Sequence, residues 1–181
     1  MLKNILIAVA IVIVGFLVFV QTRPSEFRVE RSATIAAAPA ALFAQVNDLH
    51  KWEAWDPWAK LDPNSKTTFE GPAEGVGSSF SWAGNNEVGE GKMTILESKP
   101  NELVKMKLEF FKPFAGTSTA EFTFKPEGDK TVVTWAMYGP NGYMGKLMGC
   151  FMDCEKMMGP KFEEGLANLK KIAEAQPAPA T

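Results

Sequence analysis

The chain has 181 residues, a formal net charge of −2, 46% hydrophobic and 22% charged residues, two cysteines and one histidine. At roughly 100–200 residues per domain this allows one core and little more. The balanced charge excludes a general nucleic-acid binder, the lone His50 excludes sites that need two histidines, and two cysteines cannot build a disulfide scaffold.

Of the first 20 residues, 17 are apolar, and Ile5 to Val20 runs without a charge. In a helix, 16–20 such residues span roughly 24–30 Å, close to one bilayer core. No A-x-A-like cleavage site follows Val20, which favours an uncleaved anchor over a signal peptide. A core helix is the least favoured option, because no polar face exists. Lys3 lies on one side of the run and Arg23, Arg28 and Arg31 on the other, so the side of the membrane is left open. With Lys3 set aside, 18 Lys and Arg face 21 acids, so membrane attachment is assigned to the anchor rather than to charge. The segments are then 1–22, a transmembrane anchor; 23–26, a linker; 27–175, the folded domain; and 176–181, a proline-alanine tail expected to be disordered.

Phe27 to Ile35 alternates as a half-buried strand. Pro39 opens a helix through Ala40, Leu42, Phe43 and Val46, ending near Asn47-Asp48. Leu49 to Trp58 reads as a second short helix stopped by Pro57. Six strands follow, each bounded by Gly, Pro, Asn or Asp: 67–71, 78–82, 89–97, 103–111, 117–124 and 131–138. Their alternation and short turns predict an antiparallel meander. From Gly142 to Ala175 the pattern is helical, with Leu147, Phe151, Cys154, Met158, Phe162, Leu169 and Ile172 on one face. Pro160 is expected to kink this stretch or to start a second helix. The fold class is α+β: a curved sheet of about seven strands gripping a long C-terminal helix.

Ala33-Thr34-Ile35-Ala36-Ala37-Ala38-Pro39-Ala40-Ala41-Leu42-Phe43, then Asn47-Asp48 and Trp52-Glu53-Ala54-Trp55-Asp56-Pro57-Trp58, resemble the opening of the START-like polyketide cyclase/dehydrase type of the SRPBCC superfamily. Phe80-Ser81-Trp82, Gly89-Glu90-Gly91, Thr134-Trp135 and Gly165-Leu166-Ala167-Asn168-Leu169-Lys170 extend the resemblance over residues 27–175. It implies the helix-grip fold and an apolar cavity for a lipid or other hydrophobic small molecule. Only some members are enzymes, so carriage is favoured over catalysis.

The expected pocket residues are Phe80, Trp82, Met93, Met106, Leu108, Phe110, Phe122, Phe124, Val133, Trp135 and Met137 from the strands, with Leu147, Phe151, Met158 and Phe162 from the helix. A filled core is an equally good account of the same apolar residues. Met144, Met148 and Met152 form one helical stripe and Cys150 and Cys154 another, so the two sets do not converge on a soft metal. The cysteines read as buried small hydrophobes. No metal site and no cofactor are expected, no catalytic residue is assigned, and the oligomeric state is left open. His50 reads as an exposed or capping residue, and Trp52, Trp55 and Trp58 as packing on the sheet edge. Glu109 and Glu155 are the acids whose burial would point to chemistry. The remaining alternatives are a cyclase or dehydratase using a buried acid or His50, and a structural or partner-binding module with a filled core.

Overall fold

The computed structural model describes residues 1–151 and 153–175. The proline-alanine tail and Met152 of the methionine stripe lie outside the described residues. Helix α1 (Leu2–Gln21) is followed by strand β1 (Glu26–Ile35), helix α2 (Pro39–Asn47) and a 3₁₀ turn (Leu49–Ala54). Strands β2 (Lys66–Glu70), β3 (Ser79–Ala83), β4 (Glu90–Lys99), β5 (Leu103–Lys112), β6 (Gly116–Glu127) and β7 (Lys130–Pro140) come next. Two helices, α3 (Tyr143–Met148) and α4 (Cys154–Ala175), complete the order.

The strands form one antiparallel sheet in the order β1-β7-β6-β5-β4-β3-β2. Successive strands are neighbours because their turns are short, and β1 closes the far edge by pairing Val29 with Met137 and Ile35 with Thr131. Burial alternates along β4 to β7, as one-sided covering requires. The buried side is concave, and α2, the 3₁₀ turn and α4 cover it.

Helix α4 buries Gly159, Phe162, Gly165, Leu166, Leu169 and Ala173 at steps of three and four. It is laced to β1 by polar contacts. Arg31 donates from Nε to Glu163 at 2.6 Å and from Nη1 to Glu155, Lys170 reaches the Thr34 carbonyl at 3.2 Å, and the Ala36 N–H donates to Glu174 at 2.9 Å. Gly159 leaves the space that the Arg31 guanidinium occupies.

Two expectations are corrected. The last helix starts at Cys154 rather than at Pro160, which sits inside α4. The Asp153 carboxylate accepts from the Glu155 and Lys156 N–H groups at 3.0 and 3.4 Å and starts α4 there. The segment read as a helix from Leu49 to Trp58 is a 3₁₀ turn that ends at Ala54.

Trp135 lies beneath Gly165. A Cβ at Gly165 would meet the Trp135 ring at 2.7 Å and Pro57 at 3.1 Å. Gly165→Ala in the full chain is therefore expected to cost about 1–3 kcal/mol by overpacking, read as a lower urea midpoint by tryptophan fluorescence. An unchanged midpoint would show that α4 is not seated on Trp135.

Candidate functional site

Strand register places the predicted pocket residues on the concave face. Phe80 pairs with Met93, Met93 with Leu108, Ile95 with Met106, Met106 with Ala120, Val104 with Phe122, and Phe122 with Trp135. The face divides into a filled half and a partly open half.

In the filled half the Trp135 ring lies between Phe122 and Phe162. Its centroid is 4.8 Å from Phe122 and 4.3 Å from Phe162, the latter pair nearly parallel at 6°. Trp52 and Trp55 meet Phe122 and Trp135 edge-on at 5.7–6.3 Å, and Trp58 meets Trp135 and Phe162 in the same way. Trp52 and Trp55 are thus core residues over the interior strands β6 and β7, not sheet-edge packing. A 3₁₀ turn has three residues per turn, so positions three apart share one face. The two indole N–H groups are satisfied by the carbonyls of Val46 at 2.9 Å and Gln45 at 3.3 Å.

Met93, Met106, Phe122, Phe124, Val133, Trp135, Met137 and Phe162 are buried. Phe80, Trp82, Leu108, Phe110 and Met158 are only partly buried. Phe80, Trp82, Leu108 and Phe110 form the open half, together with Phe69 of β2, which is exposed. The rings run in a chain, Phe69 to Phe80 at 6.0 Å, Phe80 to Trp82 at 5.7 Å and Trp82 to Phe110 at 6.1 Å. Gly91 lies under Trp82, leaving no room for a Cβ between that ring and β5. Leu147 and Phe151 do not join this face. Breaking the helix before α4 sends them elsewhere, and Phe151 is 75% exposed.

Two surface depressions lie outside the aromatic face. One of about 450 Å³ is bordered by Pro39, Pro100, Phe124 and Pro126, and one of about 610 Å³ by Gln45, His50, Lys51 and Glu53. His50 is exposed, stacks on Phe69 at 4.0 Å and has Nδ1 3.2 Å from Asp48. Asp48 also accepts from the His50 backbone N–H at 3.0 Å and caps the 3₁₀ turn. Glu109 pairs with Lys107 at 2.6 Å and Glu155 with Arg31; neither is buried. Cys154 is exposed, contrary to expectation, because it opens α4 after the break, while Cys150 is half-buried.

The acid that sequence reading passed over is Asp56. Burial pushes its pKa up to about 6, against the opposing pull of the Trp58 N–H and the Lys161 ammonium. It lies between Trp55 and Pro57, which fold against α4 at Asn168 and Gly165.

A curved antiparallel sheet closed by one long C-terminal helix over an aromatic interior is the helix-grip architecture. Residues 26–174 match the family described as polyketide cyclase / dehydrase and lipid transport, and the chain belongs to that family, of the START-like SRPBCC type. A protein from Chromobacterium violaceum superposes on 85% of this chain and 100% of its own, with TM-score 0.59 and 14% identity. The Aha1 dimer from Colwellia psychrerythraea gives TM-score 0.59 and 17% identity over 82% of this chain and 97% of its own. The di-domain ARO/CYC BexL from the BE-7585A biosynthetic pathway gives TM-score 0.63 and 13% identity over 87% of this chain and 53% of BexL. At these identities the likeness is one of fold. No curated protein matches the sequence.

The unfolded chain releases the Asp56 proton near pH 3.8, whereas the folded chain holds it to about pH 6. Stability is therefore expected to fall as pH rises from about 4 to 6 and to level off above. Asp56→Asn keeps the acceptor for Trp58 and removes this decline, which is at most about 3 kcal/mol. Urea midpoints of the two chains between pH 4 and pH 8 test it, and parallel profiles would contradict it.

Proposed function

We propose that this chain is a membrane-anchored START-like binding protein whose folded domain, residues 27–175, holds a hydrophobic small molecule or lipid against the concave face. The observation that carries this reading is the passage, on one face of one sheet, from a filled aromatic stack to a half-buried row of Phe80, Trp82, Leu108 and Phe110. Apolar side chains left partly exposed beside a completed core favour an apolar ligand, since covering them gains roughly 25 cal/mol per Å². None of these four carries a charge or a nucleophile, which favours binding over chemistry. Asp56, the acid with the raised pKa, sits with Trp58 on the filled side.

The anchor reading is supported by α1 itself, a 20-residue helix that contains an 18-residue stretch of mean hydropathy 2.7. Val20 alone among its residues is buried, so the domain does not use it as a core helix. Lys3 stands near one end, and at the other the Arg23 guanidinium lies 5.9 Å from the Phe19 ring centroid, an arrangement suited to a helix end at a membrane surface. Residues 1–22 form the anchor, and the linker expected over 23–26 runs into β1 at Glu26. Tethering serves such a ligand physically, because apolar molecules partition into the bilayer and the anchor raises the binding face's effective concentration there.

A photoactivatable diazirine fatty acid, added to the full chain in lipid nanodiscs, tests the reading. Crosslinks are expected on the peptides holding Phe80–Trp82 and Leu108–Phe110, with several-fold loss in Trp82→Ala, while crosslinks to α1 stay constant. Labelling confined to α1 would sink the proposal.

A further inference from the structure

The sheet has two chemically different ends. At one end lie Lys99, Asn101 and Glu102 of the β4–β5 turn and Glu127, Asp129 and Lys130 of the β6–β7 turn. At the other end, Glu26 pairs with Pro140, Thr119 with Tyr138, and Phe110 with Gly116. This register puts the exit of α1, the β5–β6 hairpin and the segment after β7 together. Their tips carry exposed apolar residues: Phe111 and Phe114 in the hairpin at 53% and 60%, flanking a Lys112 that pairs with Glu90, and Tyr143, Met144 and Phe151 after β7 at 44%, 57% and 75%. We propose that this end of the domain is a second membrane contact, in which the β5–β6 hairpin and residues 143–151 lie in the lipid headgroup and upper acyl layer beside the anchor.

Depth along α1 carries the proposal. The Lys146 ammonium donates to the Gln21 carbonyl at 3.3 Å, and Asn141 donates from its side chain to the Pro24 carbonyl at 3.1 Å and from its backbone to the Ser25 carbonyl at 2.7 Å. These bonds tie the segment to the end of the helix. Phe151 then packs on Phe16, with ring centroids 6.1 Å apart. Phe16 stands five residues inside Gln21, or about 7.5 Å along the axis. If Phe151 were in water, the span would have to end before Phe16. Residues 2–15 reach only about 21 Å, against a hydrocarbon core of about 30 Å. A spanning α1 therefore takes Phe151 below the headgroups, at the ~5–10 Å depth of interfacial segments. The hairpin lies three strands from β1, about 14 Å away in the sheet, and offers Phe111 and Phe114 at the same end. Tyr143 and Lys146 have the amphipathic form that residues at this level favour. The β3–β4 turn, further along the same end, is polar at Asn85, Asn86 and Glu87 and marks the limit of the contact. Trp82 and Phe110 occupy the end of the concave face nearest this contact, so an apolar ligand would reach them from lipid.

The proposal rests on the anchor reading, and its test separates the two. The full chain with Cys150→Ser and Cys154→Ser is reconstituted in phosphatidylcholine/phosphatidylglycerol nanodiscs. Nitroxide labels are placed singly at Val12→Cys, Phe114→Cys, Phe151→Cys and Glu127→Cys, with circular dichroism checking that each variant is folded. Relaxation by oxygen is expected to exceed relaxation by a nickel chelate at positions 12, 114 and 151, and the reverse at 127. Nickel-dominated relaxation at either 114 or 151, with oxygen dominant at 12, overturns the second contact and leaves the anchor standing; that patch would then belong to a protein partner or a second copy. Nickel-dominated relaxation at 12 overturns both.

Discussion

The Trp135 ring, held between Phe122 and Phe162, is the contact on which the rest of the domain depends. It joins β6 and β7 to α4 through two stacked pairs, each contributing ~0.5–1.5 kcal/mol beyond the area buried. Its size sets other choices. Gly165 has to lack a side chain where α4 crosses the ring, and Trp52 and Trp55 have to arrive from one face of a 3₁₀ turn to meet its edge. Arg31, opposite Trp135 on β1, then ties the same helix down through Glu155 and Glu163. Aromatic stacking fixes the depth of the helix, and the ion pairs fix its position along β1.

Filling one half of the concave face this completely has a functional consequence. Six aromatic side chains, Trp52, Trp55, Trp58, Phe122, Trp135 and Phe162, occupy the space where other apolar contents would sit, so any ligand room lies towards β3, β4 and β5. There the strands keep the same inward periodicity, yet Phe80, Trp82, Leu108 and Phe110 remain partly exposed beside the buried Met93, Ile95, Val104 and Met106. Gly91 lets Trp82 lie flat along the sheet instead of standing up into that space. Within one face the core is solid near α4 and only partly covered at Phe80, Trp82, Leu108 and Phe110.

Much of this was legible in the residues. Period-two alternation located β1 and β4 to β7 to within a few positions, because each strand buries one face only, and the register brought the expected strand residues to one side. The exposed β2, with no buried position, was found through its flanking turn residues. Spacing misled where the helix type changed. Trp52 and Trp55, three apart, diverge on an α-helix but share a face where the 3₁₀ turn ends, so their place in the core was hidden. Leu147 and Phe151 continue the apolar face of α4 in sequence, yet α4 begins only at the Asp153 cap, and Phe151 packs on Phe16 of α1. Asp56 was passed over because its pKa depends on what folds above it, which no local pattern encodes.

The proposed anchor and the open aromatic half fit one proposed account, in which a hydrophobic molecule would move between bilayer and protein without crossing water. Native mass spectrometry of the full chain, extracted from its host in lipid nanodiscs and released in the gas phase, tests that account most directly. It predicts an apolar molecule of defined mass that stays with the folded chain and is lost when Trp82 is truncated. Repeated recovery of the ligand-free chain, with the aromatic face intact, would contradict it.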